Sequence, residues 1–246
     1  KIKVIKYPNT IKNNKGTVFF LEDLSQIIKN EKLLIWDDGG YGDIFLHSRF
    51  LNIIPKNINY KIKLRKNLNW IFRKDIKRKI IQDDTKEKFK YHVSFMMLEP
   101  LFKFDINKFI FNFDYLISPD NQDWKRYFQS FKNNKKIGLV LDTKTTKLRN
   151  INFEKIDILI KSKPKIQFFL IDQKPSEESK KYEKINSNLT ILSKIDRNFP
   201  FYDTYSILNY LDALISIDTA VSHLAGYLHL KTYLLLHKPN HYYWGL

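Results

Sequence analysis

Two stretches of this chain combine residue types and spacings that could do chemistry. The first is Trp36-Asp37-Asp38-Gly39-Gly40-Tyr41-Gly42-Asp43-Ile44, where three glycines fall within four residues and a carboxylate follows. Glycine tolerates tight turns and lets a ligand approach the backbone. A helix that opens behind such a turn offers N–H groups and the positive end of its dipole to phosphates or acidic groups. Gly40 and Gly42 are therefore candidate ligand contacts. Asp43 falls at the helix start, past the apolar run Leu33–Trp36, where open α/β sheets hold their ligands. At this level it is either a working carboxylate or a helix cap. The spacing is neither the dinucleotide fingerprint nor a P-loop.

The second stretch runs from Ala213 to Gly226. An apolar run, Ala213–Ile217, meets Asp218-Thr219, and Asp218 or Thr219 can cap the helix that follows. The small residues Thr219, Ala220 and Ser222 allow a diphosphate to reach the helix N–H groups. His223 lies four residues past Thr219, on the same helix face, within reach of a phosphate or a sugar hydroxyl. A buried histidine behind an ordinary cap fits the same letters. Lys144, Lys147 and Arg149 follow the run Ile137–Leu141 and could clamp a diphosphate, or simply line a solvated loop. His92 opens Tyr91–Met97 and, taken alone, reads as structural. No HExxH, no GxSxG and no metal-spaced His/Asp/Glu cluster occurs, so neither a metal nor a cofactor is expected.

These residues need elements to position them. Short apolar runs alternate with longer amphipathic stretches, the pattern of βα units on parallel sheets. Strands are expected at Leu33–Trp36, Tyr60–Leu64, Lys79–Ile81, Tyr91–Met96, Ile137–Leu141, Gln167–Ile171, Leu189–Leu192, Ala213–Ile217 and Thr232–Leu236. Helices are expected at Asp43–Ile54, Asn121–Phe131, Phe153–Lys161, Ser176–Lys184, Tyr202–Tyr210 and Thr219–Tyr227. The later strands are apolar at consecutive positions, as when both faces of a sheet are covered. Ser118-Pro119-Asp120 signals a helix entry, and the pattern restarts near Lys135. A division into domains 1–125 and 126–246 is expected, with the boundary region at 118–135.

The chain has 246 residues, no cysteine and a net charge of +17. Disulfides and thiolate chemistry are excluded. No apolar run approaches the ~20 residues of a membrane span, and no signal peptide is evident, so a cytoplasmic location is expected. The first residue is Lys, which suggests a fragment or a processed form. The lysines are scattered, and the densest basic run is Lys61–Lys79. Such a run is more often a solvated face than a nucleic-acid site, so no specific nucleic acid is expected. Peripheral contact with the inner membrane face through the basic surface stays open.

Several of these segments match one family in consistent order over residues 31 to 244. Gly40-Tyr41-Gly42-Asp43-Ile44 resembles the G-x-G-D motif of the ADP-heptose heptosyltransferases and of glycosyltransferase domains found behind tetratricopeptide repeats, with Arg49 following as an Arg does there. His92 to Leu98 resembles their H-x-P-L-M-S-L segment, with Ser94 in place of proline. Lys136–Val140 resembles their V-G-L-V-W strand, Phe168–Gln173 their F-V-S-L-Q and Phe201–Thr204 their D-F-x-D-T. Ile217–Gly226 is similar to their V-D-T-A-V-A-H-L-A-G.

The resemblance implies a GT-B fold, with two Rossmann-like domains whose parallel sheets face a central cleft. It implies an inverting, metal-independent hexosyl- or heptosyltransferase. The donor would be a nucleotide-diphosphate sugar, the acceptor a glycan, a lipid-linked glycan or a protein. Asp43 would be the base. Thr219, Ala220 and His223, with Asp218, would form the donor-diphosphate site, and Asp203 and Thr204 a second donor motif. Arg49 and His92 would lie on the acceptor side. Two stretches depart: Leu141-Asp142-Thr143 replaces Trp-Ser-Gly, and Pro239–Trp244 lacks the acidic residue and arginine of P-D-W-R-W. The chain also stops short of the family's last helix. A non-catalytic sugar-nucleotide- or carbohydrate-binding descendant is the main alternative, and a basic nucleic-acid-binding protein a distant one.

Overall fold

The computed structural model describes residues 19–20, 31–64, 68–81, 87–102, 114–143, 149–237 and 244. The chain divides into two compact units, Lys1–Ile117 and Ser118–Leu246. Each is built on one parallel sheet.

In the first unit, β2 (Lys32–Trp36), β3 (Asn59–Lys63) and β4 (Tyr91–Ser94) form the body of the sheet, and the two-residue β1 (Phe19–Phe20) pairs with β4. The order is β1-β4-β2-β3. Leu33, Ile35, Ile62 and Val93 are buried on the central strands, and Ile44 and Phe45 from α1 (Tyr41–His47) join the core. Segment 114–117 closes the unit: Ile117 N–H donates to Ile71, Arg73 N–H to Tyr115, and the Tyr115 hydroxyl to the Phe45 carbonyl at 2.9 Å.

Three expectations change here. The helix expected over Asp43–Ile54 ends at His47 and continues as a 3-10 turn, Ser48–Ile53. The Ile44 carbonyl accepts both the Ser48 N–H and the Ser48 hydroxyl, a back-bond of the kind that bends helices. Pro55 then forces Ile54 into an extended conformation. The strand expected at Lys79–Ile81 is a single bridge, Ile62 to Ile80. The turn closing α2 (Lys74–Lys77) still uses the N–H groups of Lys79 and Ile80, which leaves little chain to pair. The strand expected over Tyr91–Met96 stops at Ser94, where a 3-10 turn leads into α3 (Leu98–Leu101).

The second unit holds α4 (Gln122–Gln129), β5 (Lys135–Val140), α5 (Phe153–Ser162), β6 (Ile166–Ile171), α6 (Glu177–Ile185), β7 (Leu189–Leu192), α7 (Tyr202–Leu208), β8 (Ala213–Ile217), α8 (Ala220–Tyr227) and β9 (Thr232–Leu235). The sheet order is β7-β6-β5-β8-β9. Phe168, Phe169, Leu139 and Leu214 are fully buried, because helices cover both faces of these consecutive apolar runs. The helices start where short polar side chains cap them. Asn121 accepts from Asp123 and Trp124, Asn152 from Glu154, and Ser176 from Ser179. Phe128 and Phe131 pack edge-on against Phe169, with centroids 5.0 and 5.1 Å apart, so α4 belongs to this sheet.

Candidate functional site

In the second unit the chain leaves β5 toward β6 and β7, then returns to pair β8 on the other side of β5. The loops after β5 and β8 therefore diverge, leaving a crevice at the carboxyl ends of the two strands. Two bonds fold the post-β5 loop back on itself: Ile151 N–H to the Leu141 carbonyl and Thr143 N–H to Asn150 Oδ1, both 3.0 Å. This return delivers Arg149. Its Nη1 donates to the Asp218 carbonyl at 3.1 Å and lies 3.2 Å from the Asp218 carboxylate. Asp218 itself is buried. The structure thus brings together the cation after β5 and the turn after β8. Lys144 and Lys147 lie outside the described residues.

Thr219 is the N-cap of α8 and Ala220 its first residue. The Ser222 hydroxyl donates to the Thr219 carbonyl at 2.6 Å and accepts from its N–H at 3.3 Å. The Thr219 hydroxyl oxygen is buried and has no hydrogen-bond partner among the described residues. His223, one turn along, stacks on Trp244 with ring centroids 4.7 Å apart.

Asp203 and Thr204 lie in a knot of hydrogen bonds at the start of α7. Asp203 Oδ1 accepts from Trp124 Nε1 (2.8 Å) and Asn121 Nδ2 (3.2 Å), and Oδ2 from Asp196 N–H (2.6 Å). Asp196 in turn accepts from the N–H groups of Asp203 and Thr204 and from the Thr204 hydroxyl. Burial pushes the Asp196 carboxyl up from its ordinary value, against those hydrogen bonds. The loop is also strained: Lys194, Asp196 and Phe201 all have positive φ. The motif's visible work is to tie this loop to α4 and α7.

In the first unit the corresponding crevice lies where β2 and β4 end side by side, with Trp36 opposite Ser94. Asp43 Oδ2 accepts from Gly40 N–H at 2.6 Å. Its carboxylate packs so closely on Gly39 that a Cβ there would overlap it. Gly39 is thus required by Asp43. Gly40 is the N-cap with ordinary extended angles, and Gly42 is the second residue of α1. Arg49 leaves the following 3-10 turn, with its guanidinium 5.1 Å from the Phe50 ring centre. His92 is fully buried and accepts from Trp36 Nε1 at Nδ1, 3.1 Å away. Burial holds its pKa below the ordinary 6.5. The ring is neutral, and with Nδ1 accepting, its proton is on Nε2.

Two residues at this edge escape the sequence reading. Both carboxylate oxygens of Asp38 are buried, and neither has a hydrogen-bond partner among the described residues. The same holds for the hydroxyl of Ser94, which is fully buried. The available signals were an acid directly behind an apolar strand and a serine in place of a proline.

No protein-family model and no curated protein matches the chain. Solved structures do. The glycosyl transferase family 9 protein of Veillonella parvula superposes with a TM-score of 0.63 at 9% identity, over 87% of this chain and 83% of that one. The fold is that of a glycosyltransferase. E. coli heptosyltransferase WaaC, solved with ADP-2-deoxy-2-fluoro heptose, matches at TM-score 0.52 and 13% identity over 86% of this chain and 90% of its own. The iron-containing heptosyltransferase TibC, also from E. coli and solved with ADP-D-beta-D-heptose, gives 0.58 at 10% identity, over 85% and 59%. At these identities the likeness is one of fold. Within this glycosyltransferase fold, the singled-out residues Asp43, Arg149 and Asp218–Ala220 follow the carboxyl ends of β2, β5 and β8 respectively.

Proposed function

We propose that the chain transfers a sugar from a nucleoside-diphosphate sugar to an acceptor hydroxyl, with inversion and without a metal. The observation that carries this reading is the pairing of Arg149 with the turn that opens α8, at the switch point of the second sheet. A planar guanidinium suits bidentate phosphate binding. The first N–H groups of α8 lack helical partners and point out of its positive end. The Thr219 hydroxyl adds a donor, and His223 reaches the same face. These groups stabilise the charge that grows on a leaving diphosphate. The heptosyltransferases solved with ADP and ADP-sugars share this fold.

The roles divide by unit. The second holds the donor. In the first, Asp43 takes the proton from the acceptor hydroxyl as that oxygen attacks the anomeric carbon; the bond to the diphosphate breaks and its electron pair leaves with the phosphate. The Gly40 N–H fixes the orientation of the Asp43 carboxylate. Gly40 and Gly42 serve this turn better than they would serve phosphates, because Asp37, Asp38 and Asp43 concentrate negative charge around them. Asp203 and Thr204 act through the loop they tie down. Arg49 and His92 belong with the acceptor side, where neutral His92 shapes the floor beside Trp36. The acceptor is a glycan, a lipid-linked glycan or a protein. No helix of the described residues is long and apolar enough to cross a membrane, and the +17 charge favours cytoplasmic work at the inner membrane face.

One observation favours a second reading, a non-catalytic sugar-nucleotide binder: Asp43 already has a structural task. Asp43→Asn separates the two. Asparagine still accepts the Gly40 N–H, so the turn stays folded, but it cannot take a proton. Turnover of the donor should fall on the order of 10²–10⁴-fold with donor binding unchanged. A wild type that binds donor and never consumes it would establish the second reading.

A further inference from the structure

One face of α2 is cationic. Lys74, Lys77 and the C-cap Arg78 fall at i, i+3 and i+4, so they share one side of the turn, and all three are exposed. Ile76 is buried on the other side, and Asp75 is held by Arg73 at 2.7 and 2.9 Å. The chain then runs along β3: Ile62 N–H donates to the Lys79 carbonyl, and Ile81 N–H to the Ile62 carbonyl. This brings Lys61 and Lys63 of β3 into the same region. Burial pushes the Lys79 ammonium below its ordinary value, and repulsion from Lys61 adds to this against the pull of Asp75. The described acids nearby are already engaged. Glu87 takes Lys32 and Lys61, and Asp114 takes Arg73. Lys74, Lys77 and Arg78 form no ion pair with any described residue.

Such a cluster needs a reason, because like charges one turn apart repel and cost the helix stability. Edge lysines commonly keep a strand from pairing with other chains, but Ile80 already bridges β3 at Ile62. The partner that fits the cluster is anionic and extended. Lysine ammoniums on flexible stems suit a diffuse negative surface better than one planar carboxylate or phosphate. Single-stranded nucleic acid fits less well, since it is held by stacking on open aromatic rings. Here Tyr60 and Phe72 are buried, Trp70 is half-buried, and the Lys79 ammonium covers the Tyr60 ring at 3.4 Å. We infer that α2 and the β3 edge form a docking face for an anionic lipid bilayer, centred on Lys74, Lys77 and Arg78. That this face brings a transferase to a lipid-linked acceptor rests on the transferase reading; the face itself rests on the cations.

The test is co-sedimentation of the full chain with vesicles of phosphatidylcholine alone and of an equal mixture of phosphatidylcholine and phosphatidylglycerol. The wild type should pellet with the mixed vesicles only, and should come off as salt screens the contact. The triple variant Lys74→Gln, Lys77→Gln, Arg78→Gln should partition about a hundredfold more weakly, since each cation near such a surface is worth about fivefold. The triple variant Lys155→Gln, Lys181→Gln, Lys184→Gln makes the same change in net charge from exposed lysines of α5 and α6, and should bind nearly as the wild type does. All six side chains are exposed, so both variants should keep the wild-type melting temperature. A wild type that ignores the mixed vesicles, or a second triple variant that loses as much as the first, would overturn the docking face. So would an α2 variant that loses binding to single-stranded oligouridylate but keeps its binding to vesicles, which would make the face a nucleic-acid site. Vesicle binding that depends on α2, in a protein whose melting temperature no nucleoside diphosphate moves, would support the docking face and remove the transferase reading instead.

Discussion

His92 shows how one residue's environment decides its chemistry. It is buried, and the indole N–H of Trp36 points at its Nδ1. Both facts favour the neutral ring, and burial lowers its pKa below 6.5. The unfolded chain therefore takes up a proton first as pH falls. The stability His92 contributes is present above about pH 6.5 and is lost as pH drops through the window down to the folded value. Chemical denaturation between pH 8 and pH 5 should show this loss in the wild type, and His92→Gln should flatten it. An unchanged slope would mean that His92 is not held neutral. Asp43 and Gly39 make a related point. The glycine run was legible, but its reason was not: Gly39 is there because the carboxylate of Asp43 occupies the space a side chain would need.

At the scale of elements, α5, α6 and the entry to β7 are tied by one buried carboxylate. Asp157 accepts from Asn186 Nδ2 at 2.8 Å and from Lys161 Nζ at 2.6 Å. Burial raises its pKa, but the bonds from Lys161 and Asn186 outweigh that and hold it below the ordinary carboxylate range. Its contribution is present above the unfolded value near 3.9 and disappears as pH falls through the lower folded value. Asp157→Ala should cost about 1–3 kcal/mol at pH 7, measured by urea unfolding, and much less near pH 2. The second unit was the more legible half. Its strands carry runs of consecutive apolar residues, and β7 and β8 fall where the runs Leu189–Leu192 and Ala213–Ile217 begin and end. The first unit was harder because its breaks depend on contacts that spacing does not reveal. Ser48 bonds back to Ile44, and α2 consumes the N–H groups that a strand at 79–81 would need. Asp203 and Thr204 could be picked out by motif, yet their partner Asp196 and the bonds from Asn121 and Trp124 appear only in three dimensions. Asp38 and Ser94 were invisible for the same reason, since a missing partner is a property of the fold.

For the whole molecule, two parallel sheets and a glycosyltransferase fold leave the donor as the decisive question. If the second unit cradles a nucleoside diphosphate through Arg149 and the start of α8, the ligand must stabilise the folded chain by mass action, by about 2.7 kcal/mol at a hundred times its Kd. The most direct measurement is a thermal melt of the full chain titrated with ADP, UDP and GDP, repeated for Arg149→Ala and Arg149→Lys. At least one diphosphate should raise the wild-type melting temperature. Arg149→Ala should weaken that ligand tenfold or more, with Arg149→Lys between the two. A wild type whose melting temperature none of the three nucleotides moves, or an Arg149→Ala variant that binds as tightly as the wild type, would contradict the donor site proposed for this chain.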